Sequence, residues 1–324
     1  MPASTRARFL ALTASSLAAA GYARPAAAAA ISPPLTIRVS GTPLDDTTAL
    51  YYAIKSGMFA RAGLSVEMTL GANGAAVLAA VISGNFDIGK SSMISIFEGH
   101  EKGLPFTVIA PAGMQEPAVP NGSTIILKES LIASGKDLEN QVVGVASLSS
   151  IGRIALCGWV EKTGGDWRAV HFVEIPLPQG PAAVEAKRVL AAECAQPLLS
   201  STLASGKFRT LPTFETIAPE FLYTTWFTTS DWSKQHPDGA AAFARVLADA
   251  AKYVNAHHAE TAAMMAEVTG IELGAVQKMV RVTIGSAVIA SQMQPCIDAA
   301  ARYGAIAKPF PAPEIIDRYA VRKA

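Results

Sequence analysis

The feature that most constrains this chain is a repeating alternation of strand-like and helix-like segments. "LTIRVS", Leu35 to Ser40, sets apolar and polar residues by turns, the two-residue period of a strand. "DDTTALYYAIKSG" follows, with Asp45 or Asp46 as helix cap and Gly57 as stop. "LSVEMTL" (64–70) alternates again, and "NGAAVLAAVISG" is helical up to Gly84. "FDIG" is a short strand, "SSMISIFEGHEKG" a helix closed by Gly103, and "FTVIA" (106–110) a further strand. Strands separated by helices of this length require right-handed crossovers, so the chain is read as α/β with mostly parallel sheet.

The rhythm breaks at "PAGMQEPAVPNG", Pro111 to Gly122, where proline interrupts regular pairing. A second run follows: "STIILK", "QVVGVA", a helix from Ile151 to Thr163, "VHFVEIP", the helix "PAAVEAKRV" and "LAAECA". Another irregular stretch, roughly Pro212 to Glu220, leads to the strand "FLYTTWFTTS". Helical patterns then run through "PDGAAAFARVLADAAKYVNAHH", "AETAAMMAEVTG" and "ELGAVQKMVRVTIG". The order predicts one lobe over 35–112, a second over 113–219, and a return over 220–324. A central cleft and two crossover segments would separate them.

The first thirty residues read differently. Arg6 and Arg8 precede a mildly apolar core, and "ARPAAAAA" offers small-residue cleavage sites. This is the pattern of a secretory signal peptide, cleaved near Ala30, with the Sec or twin-arginine route left open. An exported protein of the periplasm is expected. Later segments lack the length of apolar sequence that spans a bilayer. Net charge is +1 and only 16% of residues are charged, with no basic stripe, so no nucleic-acid partner is expected. The three cysteines, Cys157, Cys194 and Cys296, form no metal-ligand spacing, and any pairing among them stays open.

Chemistry concentrates in four strand-to-helix loops: "SGTPLDDTT" (40–48), "GANGAA" (71–76), "GKSSMIS" (89–95) and "SLSSIGR" (147–153). In parallel α/β sheets ligands bind outside the carboxyl ends of strands. The first N–H groups of a helix lack internal partners and carry partial positive charge. Glycines 74 and 152 permit close backbone approach, and Ser91, Ser92, Ser149 and Ser150 add hydroxyls. Capping alone accounts for one serine per helix, not three beside a glycine. The set suits an acidic group such as a carboxylate, sulfonate or phosphate.

In this order the segments "YYAIKSGMFARAGLSVEM", "GANGAAVLAAVISGNFDIGKSS", "KGLPFTVIAP", "ASLSSIGRIAL" and "IAPEFLYTTWFTTSDWSKQHPDGAAAF" resemble exported substrate-binding proteins of ABC importers. The resemblance is to the nitrate/sulfonate/taurine and thiamine-pyrimidine-precursor type, and it covers about 35 to 310. It implies a type II periplasmic-binding fold, two lobes closing as a clamp. It implies capture of a small, anionic organic solute by a monomer and delivery to an ABC permease in the inner membrane. By the same likeness the ligand-binding residues are Thr42, Asn73, Gly74, Ser91, Ser92, Ser149, Ser150 and Gly152. Gln196 matches a loop facing the cleft, and Trp226 packs on the ligand or in the core. Two departures stand out. Leu190 occupies a place where relatives carry Asp, with Glu193 inside the strand. Lys90 precedes the serine pair, where it either attracts an anion or reaches solvent.

Enzymatic readings have less in their favour. The sequence holds no G-x-S-x-G, H-E-x-x-H, Walker or G-x-G-x-x-G pattern. His257 and His258 are adjacent, which on a helix points them about 100° apart and fits dipole complementarity better than ligation. Asp45 and Asp46 are read as caps, with a catalytic pair or an amine holder as the alternatives. A related fold makes the thiamine pyrimidine in fungi with pyridoxal phosphate and iron, but no cysteine-rich run for iron is present. No catalytic residue, metal or cofactor is expected. A sensory binding module is the remaining alternative.

Overall fold

The computed structural model describes residues 31–71 and 73–322. The signal segment expected over 1–30 lies outside them. The first run forms β1 (Leu35–Gly41), β2 (Leu64–Leu70), β3 (Ile88–Ser92) and β4 (Phe106–Pro111). The first crossing carries β5 (Met114–Gln115). The second run forms β6 (Gly122–Leu127), β7 (Val142–Val145), β8 (His171–Glu174), β9 (Ala191–Ala195) and β10 (Phe208–Leu211). The chain returns through β11 (Phe221–Leu222) and β12 (Thr224–Thr229).

Two five-stranded sheets result, in the orders β2-β1-β3-β12-β4 and β8-β7-β9-β6-β10. They share one plan. In each, the strand next to the edge runs against the others: β12 pairs antiparallel with β3 and β4, and β6 with β9 and β10. In each, that reversed strand is the first to arrive from the other sheet. The two crossings pair with each other as the antiparallel ladder β5–β11. This is the type II periplasmic-binding fold.

Helix ends follow the sequence signals. Gly57 and Gly84 take positive φ, 73° and 76°, the left-handed conformation that ends a helix at little cost in glycine. Two elements differ from expectation. The "GKSS" segment is not a loop: β3 runs through Ser92, and the following helix starts at Met93. Its partner β12, far off in sequence, supplies the ladder that keeps it extended. The helix expected over "ELGAVQKMVRVTIG" covers only Leu273–Lys278. Beyond it the backbone is drawn out, because the Val282 N–H donates to Asp45 Oδ2 at 2.8 Å and the Ile284 N–H to Asn255 Oδ1 at 3.0 Å.

One face of the first sheet packs against the helices Thr48–Lys55 and Pro237–Ala256, where Phe59 stacks on Phe243 at 5.3 Å. On the other face a single apolar cluster passes from Val77, Phe97 and Phe227 to Ile151, Ile154 and Tyr303, and so joins the two sheets. Helix Ala290–Arg302 lies across that junction, touching helices Met93–Glu101 and Ile151–Lys162. Cys157, Cys194 and Cys296 are all buried and free. Among the described residues no helix is long and apolar enough to cross a membrane.

Candidate functional site

Three of the four loops leave the first sheet at one edge. β1 and β2 end side by side, with the Gly71 N–H donating to the Gly41 carbonyl at 3.0 Å. Thr42 is half-buried, and its carbonyl accepts from Thr47 Oγ1 at 2.9 Å. Asn73 caps helix Gly74–Ile82, its Oδ1 accepting from the Ala76 N–H at 2.9 Å. A Cβ on Gly74 would lie 2.5 Å from Ser91 Oγ, so glycine is what lets this helix begin beside β3. The hydroxyls of Ser91 and Ser92 are buried and have no protein partner. A buried hydroxyl without a partner costs free energy, so such atoms point to something that binds there.

The fourth loop meets this edge from the second sheet. Ser149 Oγ donates to Glu98 Oε2 at 2.7 Å, and Ser95 Oγ to the Ser149 carbonyl at 3.4 Å. Both partners belong to the helix that starts directly after Ser92. Ser150 caps helix Ile151–Lys162, accepting from the Arg153 N–H at 3.1 Å. Its hydroxyl donates in turn to Glu193 Oε2 at 2.7 Å, and the Ala146 N–H reaches the same oxygen at 2.9 Å. The helix start at Gly152 and the Tyr223 hydroxyl lie close enough to favour the charged form of this carboxyl. A Cβ on Gly152 would overlap it. The anion at this helix start is the protein's own Glu193. Burial pushes its carboxyl above the usual carboxylate range, opposed by those donors.

Two further expected residues are held by the protein itself. Gln196 is buried; its N–H donates to the Asn121 carbonyl at 2.7 Å, and its Oε1 accepts from the Ser200 N–H at 3.2 Å. Trp226 lies in the core cluster behind β12, its ring edge-on to Phe243 at 6.3 Å. Of its two alternatives, the structure places it in the core.

The charged residues do work that spacing does not reveal. Lys90 neither awaits an anion nor reaches solvent: it is fully buried and paired with Asp46. The Thr224 hydroxyl donates to the other oxygen of Asp46. Asp45 is held by Arg281 Nε at 2.8 Å and by the Val282 N–H. Neither aspartate caps its helix, and each is matched by a cation. Burial lowers the Lys90 ammonium and raises the Asp45 carboxyl from their ordinary values. Sequence reasoning also missed Asn121, whose Nδ2 is buried and unpartnered next to the crossing. Gln115 fixes that turn by accepting from the Asn121 and Gly122 N–H groups, both at 3.1 Å.

Among the described residues no group of three or more His, Cys, Asp or Glu is placed to hold a metal ion. Two surface cavities lie elsewhere. One of about 450 Å³ is lined by Gln141, Lys187 and Arg188, the other of about 370 Å³ by Gln115, Gly122 and Phe214. Neither is lined by Ser91, Ser92 or Ser150.

The profile of the family described as NMT1/THI5 like matches residues 45–261. A formylaminopyrimidine-binding protein of Halalkalibacterium halodurans is 26% identical over 140 residues, 43% of this chain and 41% of that one. The match thus spans less than half of that relative's length. Among solved structures, the periplasmic aliphatic sulphonate-binding protein SsuA of Escherichia coli superposes with a TM-score of 0.71 at 15% identity, over 90% of this chain and 94% of that one. The periplasmic nitrate-binding protein NrtA of Synechocystis gives 0.74 at 13% identity, over 88% and 86%.

Proposed function

Since this chain belongs to the NMT1/THI5-like family, we propose that it captures a small organic solute between its two sheets and delivers it to an ABC permease in the inner membrane. Residues 35–112 and 220–324 form one jaw of the clamp and 113–219 the other. The crossings at β5 and β11 are the hinge. The protein is exported, its signal peptide removed near Ala30, and works as a periplasmic monomer. It binds without turning its solute over.

The observation that carries this reading is the pair of buried, unpartnered hydroxyls on Ser91 and Ser92 at the sheet edge that faces the 147–152 loop. A folded protein leaves such groups unsatisfied where another molecule completes them. Thr42, Asn73 and Gly74 surround that edge, and the Ser149–Glu98 bond closes the second jaw over it. The relatives' names supply the candidate solutes: sulfonates, nitrate and formylaminopyrimidines.

The test is a thermal-shift screen of sulfonates, carboxylates, nitrate and aminopyrimidines. A ligand that binds only the folded state raises its melting temperature by mass action, by roughly 2.7 kcal/mol of stability at a hundredfold excess over Kd. One class should raise the melting temperature in a saturable manner, and Ser91→Ala should reduce that rise. Turnover of a candidate with no shift would instead favour an enzyme.

A further inference from the structure

The fold places an amide-rich helix start at the facing edge of the second sheet, and this chain fills it from within. Helix Ile151–Lys162 has twelve residues, long enough for its first N–H groups to carry the usual partial positive charge. The donors that converge there are the Ala146 N–H at 2.9 Å and the Ser150 hydroxyl at 2.7 Å. Both go to one oxygen, Oε2 of Glu193. Its side chain lies where a Cβ on Gly152 would be, so the glycine makes room for Glu193.

Charge balance reinforces the point. The buried cations nearby are already matched, Lys90 by Asp46 and Arg281 by Asp45. Among the described residues Glu193 itself has no lysine or arginine ion pair. An incoming anion would find those donors taken and an acid in its place; Arg153, the cation of this helix start, turns its Nε to the Leu148 carbonyl at 2.6 Å. Of the four buried side-chain atoms left unpartnered among the described residues, His258 Nε2 belongs to the residue whose carbonyl accepts from Arg281, and the other three, Ser91 Oγ, Ser92 Oγ and Asn121 Nδ2, are on neutral groups. Each can donate a hydrogen bond to an acceptor on the solute, but none brings a positive charge to balance an anion.

We propose that Glu193 is a specificity-determining residue: an internal anion that occupies the helix start, so that the cleft rejects nitrate, sulfonates and carboxylates and takes a neutral or cationic solute. This rests on the solute-binding reading above and narrows the class it admits.

The experiment compares wild type, Glu193→Ala and Glu193→Gln in thermal melts with millimolar acetate, nitrate or methanesulfonate, and with an aminopyrimidine. The wild type should not respond to the three anions. Glu193→Ala should melt lower, and the anions should recover part of the loss by filling the vacated slot. Each anion should bind Glu193→Ala about tenfold or more tighter than wild type, since hydrogen bonds to a charged group are worth about 1.5–3 kcal/mol. Glu193→Gln keeps the slot filled and should show no recovery. Anions that leave Glu193→Ala unmoved would overturn the proposal. So would calorimetric binding of nitrate or methanesulfonate to the wild type, which needs no variant to fold. Anion recovery of Glu193→Ala while the wild type binds no organic solute would keep this role for Glu193 and defeat the receptor reading instead.

Discussion

The two sheets share a strand plan yet treat their facing edges in opposite ways. In the first, Gly74 brings a helix start against Ser91 on β3, and the serine hydroxyl ends without a partner. In the second, Gly152 brings a helix start against Glu193 on β9, and the carboxylate accepts from the Ala146 N–H and the Ser150 hydroxyl. Strands β3 and β9 hold the same place in their sheets. The difference is in the side chain: both reach a helix start, but the serine hydroxyl ends there without a partner, whereas the glutamate accepts two hydrogen bonds. One fold can therefore present one open edge and one self-satisfied edge.

The largest effect should come from the charges that brace the open edge. Lys90→Ala leaves Asp46 buried with only the Thr224 and Thr47 hydroxyls as partners, and removal of one partner from a buried pair costs about 3–5 kcal/mol. Urea melts should show that loss, and Lys90→Met combined with Asp46→Leu should recover most of it. A loss below about 1 kcal/mol, the range of exposed pairs, would mean that the pair is solvated and the edge more open than described.

The comparison sharpens with two serines. Ser150→Ala removes both a helix cap and a donor to Glu193, a loss of about 1–3 kcal/mol in the free protein. Ser91→Ala removes a hydroxyl that nothing satisfies, so the free protein should be unchanged or more stable. Denaturant midpoints measured side by side check the contrast. Equal losses would show that Ser91 has a structural partner after all.

A smaller effect is expected with pH. Burial raises the Glu193 carboxyl above its ordinary 4.5, so the folded protein keeps that proton to higher pH than the unfolded chain does. Its contribution to stability is complete below 4.5 and is lost as pH rises through the raised value. Wild type should therefore lose stability relative to Glu193→Gln across that window. A difference that grows in favour of wild type with rising pH would reverse the sign and place the folded pKa below 4.5.

The α/β class and most strand positions were legible in the sequence because alternation and glycine stops are local signals. β2 covers the expected Leu64–Leu70, and helix Ile151–Lys162 ends one residue short of its expected Thr163. What was not legible is set by distant partners. "GKSS" has the composition of a loop but is held extended by β12. Lys90 meets Asp46 across 44 residues, Thr224 meets Asp46 across 178, and Arg281 meets Asp45 across 236. No spacing rule links residues so far apart. The hydroxyl-rich loops were found from composition alone, but composition does not say which hydroxyls a protein keeps for itself. Glu193 was visible as an acid within a strand, and only the fold shows it seated on Ser150.

The most direct test is a crystal structure of the wild type with whichever solute gives the largest thermal shift. Density for that solute is expected against the Ser91 and Ser92 hydroxyls, with Glu193 still accepting from Ser150 and Ala146. A solute whose negative group sits on the Ala146 and Gly152 amides, with Glu193 swung away, would contradict it.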